Sequence, residues 1–174
     1  MEDDIIEFLQ QSNYIENEPS LQALDDAVKA WKYIIKQPKL TEKNILKIHK
    51  ILMKTRDIYP ELIGVWRYPV GNLTGNVSVG GKKKLAWQFV PNAMIQWIIN
   101  ANDLVINGKN ENAQFLETKI KEQHIKLLEI HGFIDGNGRT SRIIMNWQRI
   151  KLNLSILVIR EEDKFEYFKW FNSK

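Results

Sequence analysis

The chain has no cysteine, which removes disulfides, thiolate nucleophiles and cysteine-based zinc sites together. It also lacks a long apolar run. The most apolar stretch, Met94 to Ile106, is interrupted by Gln96, Asn100, Asn102 and Asp103, well short of the roughly 18 apolar residues that suggest a membrane span. The Met-Glu-Asp-Asp start has neither the basic nor the apolar region of a secretion signal. A cytoplasmic protein with no membrane partner is therefore expected, and the glycosylation-type tripeptides at Asn72, Asn76 and Asn153 carry no weight in that setting. No internal repeat, low-complexity segment or interdomain linker breaks the chain.

What is present is enough for a core. Of 174 residues, 44% are hydrophobic, with six Trp, seven Phe and five Tyr, which predicts one domain spanning residues 1–174. Lysine and arginine total 25 against 21 acids, a formal charge of +4. That surplus suits anionic ligands. No basic and aromatic stripe accompanies Lys82, Lys83 and Lys84, so they read as a solvated turn and nucleic acid is not an expected partner.

The periodicity predicts a mainly α fold. Ile5, Ile6, Phe8 and Leu9 follow an acidic opening and predict a helix over 3–16. Ser20 caps a second helix ending before Pro38, and Thr41 a third with Ile45, Ile48 and Leu52 inward. Residues 60–90 change character, since glycines punctuate short β-branched and aromatic runs, and predict one hairpin or flap. Helical spacing then returns over 91–106, 111–130 and 137–150, and after Glu161-Glu162-Asp163 to near Trp170.

Chemistry-bearing residues concentrate between two of these helices, from His131 to Arg142. Gly136, Asn137 and Gly138 at a helix start offer backbone N–H groups and a positive dipole end, which together form an anion cradle. Arg139 and Arg142, three apart, project to neighbouring positions as planar forks for phosphate oxygens. Asp135 is a hard oxygen ligand suited to magnesium, and His131 can accept a proton near neutral pH. Each residue alone is ordinary at a turn, but a plain turn needs neither two arginines nor an acid nor a histidine.

Other motifs fail on context. Gly136-Asn137-Gly138 before Ser141 follows a helix where a dinucleotide fingerprint follows a strand, and Gly75 and Gly80 have Walker spacing with Gly81 in place of Lys. His124 and His131 stand about 10.5 Å apart along an ideal helix, too far for one zinc. His124 and His49 read as structural, and Ser78 lacks nucleophile-elbow glycines.

The run His131-Gly-Phe-Ile-Asp-Gly-Asn-Gly-Arg-Thr-Ser-Arg142 resembles the signature of Fic domains, His-x-Phe-x-(Asp/Glu)-Gly-Asn-Gly-Arg-x-x-Arg. Gly132 stands where the family most often has Pro. The resemblance implies a Fic-type helical bundle with a small β-hairpin flap, and transfer of AMP from ATP to a hydroxyl side chain of a target protein. It implies His131 as the base, Asp135 as the Mg2+ ligand, and Gly136, Asn137 and Gly138 as the anion hole. Arg139 would hold phosphates, Arg142 the γ-phosphate, and Phe133 would anchor the loop. A target protein, the chain itself among the candidates, would bind along the flap with Lys82–Lys84 near its tip. Ser12-Asn-Tyr-Ile-Glu16-Asn17 is similar to the family's inhibitory pattern, (Ser/Thr)-x-x-x-Glu-(Gly/Asn), in a helix over 1–18. There Glu16 would pair with Arg142 and displace the γ-phosphate, with Ser12 on the same face. Three alternatives stay open: phosphate transfer as in Doc toxins, which the intact Gly138-Arg139 pair opposes; removal of AMP; and a catalytically idle nucleotide- or partner-binding module. Oligomeric state is not legible.

Overall fold

The computed structural model describes residues 2–54 and 58–171; the extreme ends of the predicted unit and of its first helix lie outside them. Among the described residues seven helices follow in order: α1 (Glu2–Ile15), α2 (Leu21–Ile34), α3 (Glu42–Leu52), α4 (Val90–Asn107), α5 (Ala113–Ile130), α6 (Asn137–Lys151) and α7 (Lys164–Lys169). Between α3 and α4 stand two short strands, β1 (Ser78–Val79) and β2 (Lys82–Lys83). The predicted mainly α architecture with one small β element is what the chain adopts.

Local chemistry accounts for the boundaries. The Ser20 hydroxyl accepts from the Ala23 N–H at 3.1 Å. Thr41 and Asn44 form a reciprocal capping box, with each side chain bonding the other's backbone N–H at 3.2 and 2.9 Å. Pro91 sits in the first turn of α4, where its missing N–H is harmless. The last aromatic segment begins as a 3-10 turn over Glu161–Asp163 and becomes helical only at Lys164.

The predicted flap is narrower than residues 60–90. Its ladder pairs Ser78 with Lys83 and Val79 with Lys82, and the Lys84 N–H donates to the Val77 carbonyl at 3.0 Å. Gly80 and Gly81, at φ 55° and 76°, supply the two left-handed residues of a tight hairpin turn. Lys82 follows the turn directly. The remainder holds 3-10 turns over Pro60–Leu62 and Trp87–Phe89 and, between them, an isolated bridge between Val70 and Leu73.

The helices share one continuous apolar core that includes Phe8, Trp31, Ile48, Met94, Ile144 and Tyr167. At its centre lies α6, packed against all of α1 to α5. Its sequence is polar, yet Arg142, Asn146, Gln148 and Arg149 are buried. Burying such groups is tolerable only with partners. Asn146 bonds both the carbonyl and the N–H of Leu157, and Arg149 forks onto Glu117 at 2.5 and 2.8 Å. Among the described residues no helix is long and apolar enough to cross a membrane.

Candidate active site

Helix α5 ends because His131 adopts the left-handed conformation, φ 53° and ψ 60°, an uncommon state for a residue with a side chain. The chain then turns through Gly136, at φ 75°, into α6. Asn137 closes the turn on itself, since its side chain accepts from the Phe133 N–H and donates to the Phe133 carbonyl, both at 2.9 Å. The anchoring role implied for Phe133 has a physical basis. Its ring is buried, stacks face to face on His49 with centroids 3.7 Å apart, and lies against Trp66.

His49 holds the same loop by hydrogen bonds. Its Nδ1 accepts from the Gly64 N–H at 2.9 Å, so Nε2 carries the proton and donates to the Asp135 carbonyl at 3.0 Å. Burial pushes its pKa down to about 4 against the pull of Asp135, which keeps the ring neutral. A Cβ added at Gly136 would lie 2.6 Å from Met53 Sδ, and one at Gly132 would lie 3.0 Å from the Trp66 ring. The indole of Trp66 thus fills the space beside the position where the signature's usual proline is missing.

At the start of α6 the first N–H groups have no acceptor within the helix, and the dipole presents its positive end. A carboxylate stands there. Glu16, one residue beyond α1, receives Arg142 Nη2 at 2.7 Å. Its Oε1 would lie only 2.0 Å from a Cβ built on Gly138. Arg142 is buried and also donates from Nε to the Ser12 hydroxyl at 2.8 Å and from Nη2 to the Ser12 carbonyl at 2.9 Å. The structure therefore brings Ser12, Glu16, Gly138 and Arg142 together, 126 to 130 residues apart for the hydrogen-bonded pairs. Burial opposes the Arg142 charge, but the Tyr167 oxygen and the Glu16 carboxylate outweigh it and raise the pKa. Tyr167 lies under the guanidinium, 5.8 Å from ring centroid to Cζ, and its hydroxyl bonds His124 Nε2 at 2.8 Å.

His131 is half-buried at the end of α5. Burial first, and then the Lys84 ammonium, lower its pKa to about 4, with Arg67 adding to the lowering. A hydrogen bond to the Leu128 carbonyl and the Glu16 carboxylate pull the other way. The imidazole is neutral at pH 7 and able to accept a proton.

Arg139 differs from expectation in its direction. It neighbours Arg142 on the helix, but its Nη2 donates to Met53 Sδ at 3.0 Å while Arg142 turns to α1. The two forks separate because each helix packed against α6 offers its own acceptor. The Asn137 amide is likewise engaged with Phe133, so an anion would meet that residue through its backbone N–H.

Asp135 fits a magnesium ion of the kind that keeps its water and phosphate ligands, which needs only one or two protein carboxylates. Its Oδ1 accepts from the Gly136 N–H at 2.7 Å, which orients the carboxylate beside the loop. Among the described residues no group of three or more His, Asp or Glu forms an all-protein metal cage.

His49 is structural, as its sequence context predicts, and its role is to hold the loop through Asp135. Arg67, which is 1% exposed and touches the His131 backbone, belongs to the same region and carries no signal in residue type or spacing.

A model of the Fic/DOC family matches residues 39–148. Protein adenylyltransferase Fic of Drosophila grimshawi is 28% identical over 144 residues, covering 80% of this chain and 27% of that protein. The protein of the same name from Nematostella vectensis is 41% identical over 49 residues, 28% of this chain and 12% of that one. The chain thus spans about a quarter or less of the length of these curated relatives. A Fic-domain-containing signaling protein from Bacteroides thetaiotaomicron superposes with a TM-score of 0.77 at 19% identity, covering 97% of this chain and 70% of that one. Fic-1 from C. elegans does so with a TM-score of 0.69 at 17% identity, covering 97% and 54%. These two share the fold.

Proposed function

The chain belongs to the Fic/DOC family, and from that premise we propose that it transfers AMP from ATP to a hydroxyl side chain of a protein, with Glu16 as its brake. The observation that supports this most is the carboxylate of Glu16 on Arg142 over Gly138, with a neutral His131 close by. A helix start that holds one anion on a buried guanidinium close above Gly138 is suited to another, the phosphates of ATP.

In the proposed reaction the acceptor oxygen attacks the α-phosphorus, its proton passes to His131, and the bond to the bridging oxygen breaks to release pyrophosphate. The backbone N–H groups of Asn137 and Gly138 bind the developing charge, joined by that of Gly136 once it leaves the Asp135 carboxylate, and Arg142 takes the terminal phosphate once Glu16 has left it. Arg139, three residues on, contributes positive field from beside Met53 and holds phosphate only if its head group turns. Asp135 would hold magnesium, which when bound neutralises phosphate charge and fixes its orientation. The target would lie along the hairpin, and a copy of the chain itself is one candidate.

Carboxylate and phosphate compete for one site, so ATP binds weakly while Glu16 is seated. The test is label transfer to proteins of a lysate by the Glu16→Gly variant, with ATP marked at the α- or the γ-phosphate. Label from α supports AMP transfer, and label only from γ makes the chain a phosphotransferase. Calorimetric binding of ATP and magnesium without transfer of either label makes it an idle nucleotide-binding module.

A further inference from the structure

Arg67 sits at a junction that the proposed reaction does not use. It is 1% exposed, and burial acts on its charge with no carboxylate among the described residues raising it again. Its hydrogen-bond acceptors are backbone carbonyls. Nε donates to His131 at 2.7 Å and Nη1 to Gly75 at 2.6 Å. Nη2 donates to Leu85 and, at 3.4 Å, to Ile130. The Arg67 N–H completes the set by donating to the Gly132 carbonyl at 2.9 Å.

These acceptors belong to two bodies. Gly75 and Leu85 flank the hairpin on its incoming and outgoing legs, whereas Ile130, His131 and Gly132 are the end of α5 and the turn that carries the imidazole. A planar fork with five N–H donors can span both bodies, and a lysine ammonium cannot cover the same spread. The Ile130 and His131 carbonyls also lie at the negative end of the α5 dipole, which compensates a cation lacking a carboxylate. His131 occupies a left-handed backbone state that is unfavourable for a residue with a side chain, and such states persist where surrounding bonds fix them. Three bonds from Arg67, to the carbonyls of Ile130, His131 and Gly132, hold that residue on both sides.

We propose that Arg67 is a positioning residue that fixes the hairpin to the peptide of His131, and so sets the separation between the docked acceptor hydroxyl and the imidazole. The second half of this assignment rests on the proposed function, in which the target lies along the hairpin. The first half does not.

The test uses Arg67→Lys and Arg67→Met in the Glu16→Gly protein. The expected result is a fall in the turnover of AMP transfer by about 30-fold or more, the scale of a small misplacement of reacting groups. The affinity for MgATP by calorimetry should stay within about threefold, since Arg67 touches no part of the Arg142 site. The Lys84 amide, hydrogen-bonded to Val77, should exchange with solvent at least about tenfold faster while amides of α6 do not. Turnover and hairpin exchange within about twofold of the parent would overturn the proposal, as would a loss of MgATP affinity as large as the loss of turnover. If the parent itself transfers no AMP, the proposed function fails, and the exchange measurement still decides the clamp. If neither variant folds, nitrogen NMR of the wild-type chain decides it: separate, slowly exchanging Arg67 Nη signals are expected, and averaged signals at the rate of an exposed arginine overturn it.

Discussion

Arg67 joins two regions built in opposite ways. The turn and helix start from His131 to Arg142 are largely buried and held several times over: Asn137 on Phe133, His49 on Asp135, Ser12 and Glu16 on Arg142. The hairpin beyond Arg67 has two-residue strands, exposed side chains and two glycines at its turn. Under the proposed function the buried, multiply held region would carry the reacting groups, and the hairpin would present its strand edges to a partner's backbone. The difference would leave the chemistry to the constrained region and recognition to the compliant one.

The sharpest way to break this comparison is acid. His49 and His124 are buried, and their pKa values are lowered from 6.5 to about 4 and about 3. Below pH 6.5 the unfolded chain takes up protons that the folded one refuses, so stability falls as pH decreases. Urea unfolding at pH 7 and pH 4.5 should differ by on the order of 3 kcal/mol for each of these two rings. Equal stability at both pH values would show that the rings are not held neutral. Next in size, His131→Ala in the Glu16→Gly protein should lower AMP transfer on the order of 10³-fold, with ATP binding retained by calorimetry.

Gly138→Ala tests the helix start without touching a titratable group. Its methyl would take the space that the Glu16 carboxylate fills, so in the Glu16→Gly background kcat/KM for ATP should fall by about 100-fold. Glu16→Gly alone should raise transfer by about tenfold or more, within the usual range for relieving a coupled site, as read by α-label incorporation. At the opposite extreme, Lys83→Ala on the exposed second strand should leave stability within about 0.5 kcal/mol by thermal melting. A large change there would show the hairpin to be as constrained as the loop.

The same contrast explains what could be read from sequence. The loop is legible because its groups are contiguous from His131 to Arg142, and Ser12 and Glu16 because their i, i+4 spacing carries both to Arg142 although α1 ends at Ile15. Ser20, Thr41 and Pro91 mark helix starts by local chemistry that no distant contact overrides. Arg67 was not legible, since its acceptors are backbone carbonyls, three of them 18 to 64 residues away, and a carbonyl leaves no trace in residue type. His49 is legible as structural, but not its partner, since the bond to Asp135 spans 86 residues. The separation of Arg139 from Arg142 also depended on tertiary partners, Met53 for one and Ser12 with Glu16 for the other.

Helix α1 is firmly seated: Phe8, Leu9 and Ile15 are in the core, Glu7 pairs with Arg160 at 2.6 Å and Gln11 accepts from the Glu161 N–H at 2.8 Å. Glu16 follows it with a side chain 36% exposed. Under the proposed function this carboxylate would be a ligand on a short leash, released by side-chain rotation while α1 stays seated. Such a tethered competitor would act at constant effective concentration whatever the dilution of the protein. Seated about 99% of the time, it would raise the apparent dissociation constant of ATP about 100-fold, and rotation of a few side-chain torsions would set how quickly the site becomes available.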